Sequence, residues 1–140
     1  MKRRLVIRFN APVILSFALL SLLALVLGTL TNDATTYRFF SVYRSSLSDP
    51  LTYVHFFGHV LGHAGYEHYM GNMLLLLLVG PGIEEKYGHK TTALCIAITA
   101  LVTGLVQFIF FPTTVLLGAS GVVFMMIVLS SFTEMGKEGI

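Results

Sequence analysis

The chain has 140 residues, 55% of them hydrophobic and 11% charged, with a net charge of +2 and a mean hydropathy of +0.79. Soluble domains carry about 25% charged residues, so this chain cannot cover a water-facing surface and lipid is its expected solvent. The small, scattered positive charge excludes nucleic acid as a partner, and the lone Cys95 excludes an internal disulfide.

In chain order, the basic run Lys2, Arg3 and Arg4 precedes an uncharged apolar stretch over 11–30. That meets the about 20 residues a membrane-spanning helix needs. A secretory signal shares the basic start, but its apolar region is about 7–15 residues long and a small-residue cleavage site follows it. An uncleaved first helix is the better reading. The loop 31–65 contains PLTYVHFFGHVLGH over 50–63, too polar to span and too apolar to lie free in water. It is expected at the membrane interface, with its rings and histidines at headgroup level.

A second helix is predicted over 66–86, apolar but bearing Glu67, His68 and Asn72 near its start. Such groups are costly inside a membrane and mark a functional site by default. A third is predicted over 90–111, closed by Pro112, and a fourth over 120–132. The last apolar run, about 18 Å as helix, falls short of about 30 Å of hydrocarbon. A start partway into the bilayer, at Gly118-Ala119-Ser120-Gly121, explains the length. Irregular backbone at that depth is tolerated only inside protein or beside a water-filled cavity. The segment 133–140 reads as a polar cytoplasmic loop. With no repeats or low-complexity linkers, 1–140 forms a single all-α, polytopic membrane domain.

Four alternating crossings put Lys2, Arg3, Arg4, Arg8, Lys86, Lys90 and Lys137 on one side, and only Arg38 and Arg44 on the other. The positive-inside rule then places the N-terminus in the cytoplasm and the loop 31–65 outside.

Three features carry chemistry. Ser120 stands at a helix start between small residues, where unpaired N–H groups and a positive dipole end suit an oxyanion. An ordinary N-cap serine reads the same way. His68 and Asn72 are four residues apart and share a helix face; they suit oxyanion donation or, equally, interhelical packing contacts. His55, His59, His63 and His68 form a loose cluster, but zinc wants three or four convergent ligands and no HExxH pattern is present. Structural hydrogen bonding is the better reading for His55 and His59, and no metal is expected.

Together these residues resemble the rhomboid family. The string from His63 to Asn72 (HAGYEHYMGN) is similar to that family's HxxxxHxxxN element. Glu84 opens EEKYG, similar to its ExxxG stretch, and Gly118 to Gly121 is similar to the GxSG motif opening the fourth helix. The resemblance implies a helical bundle of at least six membrane helices, of which four are expected here. It implies an intramembrane serine endopeptidase that cuts transmembrane segments of other membrane proteins, with lipid bilayer as surroundings and no cofactor. Ser120 would be the nucleophile, and His68 and Asn72 would stabilise the oxyanion. His63, Glu84, Gly118 and Gly121 would support the site. Many members carry a Trp-Arg pair where this chain has Val54-His55. The family's general-base histidine lies on the sixth helix, so it is not in this chain, which reads as an N-terminal portion and is predicted to be inactive alone. The alternative is a proteolytically inactive rhomboid-like protein that binds transmembrane segments. The short first loop and lack of an organelle-type extension point to a prokaryotic plasma membrane.

Overall fold

The computed structural model of the protein describes residues 10–137. Lys2, Arg3, Arg4 and Arg8, on which the orientation argument leans, lie outside the described residues, as do 138–140 and the side chain of Lys137. Six helices follow one another: α1 (Pro12–Leu30), α2 (Ala34–Phe39), α3 (Pro50–Gly58), α4 (Tyr66–Tyr87), α5 (His89–Phe110) and α6 (Ser120–Lys137). Among the described residues there is no named strand, only an isolated antiparallel bridge between Val42 and Leu116.

Local chemistry sets most boundaries. Proline opens α1 and α3, where its missing N–H costs nothing. The Asp49 side chain caps α3 by accepting from the Leu51 N–H at 3.0 Å. Gly88 alone joins α4 to α5, with φ at +91°, a conformation that L side chains rarely adopt. Arg44 closes the far end of α5: its Nε donates to the Phe108 carbonyl at 2.7 Å and its Nη2 to that of Ile109 at 3.0 Å. A cation there complements the negative end of the helix dipole.

Helix α4 packs against α1, α5 and α6, while α3 lies on α5 and α2 on α1. Ile14 of α1, Leu76 of α4, and Val122 and Met126 of α6 are fully buried, with α1 and α6 each packed on α4. The outward faces carry Leu19, Leu23, Leu74, Leu78, Leu94, Ile98 and Phe124 exposed. Apolar residues both inside and out are the pattern of a helix bundle in lipid, where close packing rather than water exclusion holds the helices together. Among the described residues, α1 and α5 are the helices long and apolar enough by themselves to count as spans; the apolar part of α6 covers Ser120–Glu134. The protein is all-helical, as expected.

One expected boundary changes. The fourth helix does not stop at 132 but runs to Lys137 over 18 residues, about 27 Å of helix. Its polar end stays helical because the Ser131 and Thr133 hydroxyls bond back to the carbonyls of Ile127 and Leu129, at 3.0 and 2.9 Å, and Tyr87 meets Thr133 at 2.9 Å. The apolar part, Ser120–Glu134, is about 22 Å of helix and still falls short of about 30 Å of hydrocarbon. The loop 31–65 contains α2 and α3. His55 and His59 are buried within it and make the structural hydrogen bonds expected of them. His55 Nε2 meets the Arg38 carbonyl at 2.7 Å and His59 Nε2 that of Ala100 at 2.8 Å.

Candidate active site

The segment joining α5 to α6 is fixed before it reaches Ser120. Val42 and Leu116 exchange two N–H···O bonds of 2.9 Å, and the Gly118 N–H donates to the His59 carbonyl at 2.8 Å. Gly118 then turns with φ at +123°. A Cβ on Gly118 would lie 2.8 Å from His68 Cε1, 3.0 Å from His68 Nε2 and 3.8 Å from Asn72 Nδ2. The glycine therefore keeps open a space that the His68 and Asn72 side chains face, two residues before Ser120. Ser120 itself is exposed. As first residue of α6, it adds its own backbone N–H to the unpaired donors of that helix end.

Hydrogen bonding assigns the proton positions. His63 Nδ1 faces the Leu61 carbonyl at 3.3 Å, which can only accept, so this nitrogen carries the hydrogen. His63 Nε2 is then an acceptor. It receives the Asn72 amide at 3.1 Å and, more weakly, the Ala119 N–H at 3.4 Å. That fixes the Asn72 side chain with its NH2 toward His63 and its second N–H free for the space beside Gly118. Burial, followed by the neighbouring His68, pushes the His63 pKa down to about 4, which keeps the ring neutral and able to accept. His68 Nδ1 accepts from the Ala64 N–H at 3.3 Å, so a neutral His68 carries its proton on Nε2, the ring nitrogen on the Gly118 side. Two side-chain donors thus converge on one small space, and neither is arranged as a base.

Tyr69 locks this group to α1. Its ring packs on His63 at a centroid distance of 5.5 Å, and its hydroxyl donates to the Ala18 carbonyl at 2.9 Å. Sequence reasoning did not single out Tyr69, and its adjacency to His68 was the one available signal. The carbonyls of Leu61 and His59 escaped notice because backbone partners leave no mark in side-chain spacing.

Gly118, His68, Asn72 and His63 come together, and Ser120 follows Gly118 by two residues in the chain; Glu84 and Gly121 do not join them. Glu84 is twelve residues beyond Asn72 on α4, about 18 Å along the helix. There its fully buried carboxylate accepts from the Val13 and Ile14 N–H groups at 3.0 and 2.8 Å and from His89 Nδ1 at 2.6 Å. It satisfies the unpaired donors at the start of α1. Gly121 faces α5, where a Cβ would meet Thr103 Cγ2 at an ordinary 3.4 Å. Among the described residues no group of three or more His, Cys, Asp or Glu side chains is placed to hold a metal.

The Rhomboid domain family model matches residues 50–138, and the chain belongs to the rhomboid family. Family and apolar helices together point to an integral membrane protein. The comparison with curated proteins returned no match.

Proposed function

We propose that the chain carries the nucleophile and oxyanion side of an intramembrane serine endopeptidase acting on transmembrane segments of other membrane proteins. The observation that carries this reading is the convergence of His68 Nε2 and Asn72 Nδ2 on the space beside Gly118. Ser120 attacks the peptide carbonyl. The resulting oxyanion lies among the His68 and Asn72 donors and the first N–H groups of α6. Donors held in place before reaction are worth most where water is excluded. In this reading α1, α4, α5 and α6 all cross the bilayer, with the N-terminus cytoplasmic and α3 near the outer interface.

Serine needs a base to accept its proton. Among the described residues His68 is committed as a donor, His63 accepts from Asn72, His59 is tied to Ala100, and His89 sits with Glu84 at the other end of α4. Losing the histidine alone costs a soluble serine protease about 10⁶-fold in turnover. The 140-residue chain by itself is therefore predicted not to cleave peptides measurably. Among the described residues the Ser120 hydroxyl has no hydrogen-bond partner, which favours the second reading, an inactive binder of transmembrane segments.

A fluorophosphonate probe distinguishes the two. The endopeptidase reading predicts slow labelling of the chain in micelles, accelerated by added imidazole and abolished in Ser120→Ala. Labelling that persists in that variant rules out the nucleophile assignment.

A further inference from the structure

A cavity of about 220 Å³ opens beside the candidate active site, lined by Asp33, Thr36, Tyr37, Ser41, Ala64, Val115 and Leu117. Two of these residues touch the site's own framework. Ala64 supplies the N–H that fixes the His68 tautomer, and Leu117 precedes Gly118. Most of the lining is apolar, and its one charged group is the Asp33 carboxylate. Asp33 is exposed and, among the described residues, pairs with no cation. The backbone holds it firmly: Asn32 and Asp33 both have positive φ, at 52° and 66°, and the Asp33 N–H donates to the Gly28 carbonyl at 2.8 Å. Thr36 is buried against Gly28, where a Cβ would overlap its hydroxyl. The carboxylate thus sits on a braced turn.

An open, largely apolar groove with a single carboxylate matches an amphipathic cation. Lys and Arg lay a hydrocarbon stem along apolar surface and present a charge at its end. The nearby Arg38 does not neutralise the site, since its guanidinium lies over the Phe39 ring at 5.7 Å. We propose that this cavity is a specificity pocket for a basic side chain of the bound transmembrane segment, with Asp33 its selecting residue. The inference rests on the substrate class proposed above. With the loop 31–65 outward, the selected residue flanks the segment on the outer side. Basic flanks are scarcer there than in the cytoplasm, so the preference would sort one membrane segment from another.

The test uses the full chain in zwitterionic micelles and three fluorescent transmembrane peptides, identical except for Arg, Leu or Glu at one outer flanking position. Anisotropy should show the Arg peptide binding about fivefold more tightly than the Glu peptide, the upper range for an exposed ion pair, with the gap narrowing in high salt. Asp33→Asn should erase the difference. Asparagine tolerates the left-handed backbone, which preserves the turn, and swapping peptide charge probes the pocket without altering the protein. Equal binding of the Arg and Glu peptides overturns the proposal, as does a preference that survives Asp33→Asn or an absence of binding by all three. Fluorophosphonate labelling of Ser120 is read in parallel. Labelling intact without charge preference removes the pocket alone, whereas labelling that ignores Ser120 removes the catalytic reading.

Discussion

Gly118 combines a φ of +123° with a position where an added Cβ would lie 2.8 Å from the His68 ring. Alanine there meets both backbone strain of about 1–3 kcal/mol and the ring itself. Gly118→Ala should therefore lower the thermal unfolding midpoint in micelles and abolish Ser120 labelling, while Gly121→Ala, facing ordinary contact distances, should leave both near wild type. His63 makes a second residue-scale prediction. Its pKa falls from 6.5 in the unfolded chain to about 4 in the fold, so protons favour the unfolded state. Its contribution to stability is complete above about pH 6.5 and is lost as the pH falls toward 4. Burial lowers the His59 pKa too, so His63→Gln should flatten, without removing, the fall in unfolding midpoint across that range. A profile identical to wild type would contradict the neutral, accepting role of His63.

Between elements, Glu84 ties the start of α1 to the α4–α5 turn. Glu84→Ala strands two buried N–H groups, each worth about 1–3 kcal/mol when unsatisfied, and should be among the most destabilising changes outside the site. His89→Ala removes a partner whose side chain is 55% exposed and should cost less than about 1 kcal/mol. Tyr69→Phe loses only the bond to the Ala18 carbonyl, for about 1 kcal/mol. Chemical unfolding in mixed micelles ranks all three. At this scale the sequence was legible where apolar runs meet a clear break: Pro112 after α5, and the polar stretch that follows α1. It was not legible at the end of α6, where Thr133 looks like a loop residue but returns its hydroxyl to the helix. Nor could it show the Val42–Leu116 pairing, which brings together two loops far apart in the chain. The His63–Asn72 bond was hidden for another reason, since it depends on which nitrogen of His63 the Leu61 carbonyl claims.

Over the whole molecule, four long helices hold a small polar group together at one end and a buried carboxylate at the other. The HxxxxHxxxN and GxSG elements were readable as separate motifs; their convergence on one space required the fold. Family membership and that geometry support the same proposal, that Ser120 reacts with an anion-stabilising site at its back. Mass-spectrometric mapping of the fluorophosphonate adduct tests this most directly, with labelling rates compared among wild type, Asn72→Ala and His68→Ala. The proposal predicts an adduct on Ser120, formed roughly 10²-fold more slowly when either donor is removed. An adduct on another residue, or a rate indifferent to both donors, would contradict it.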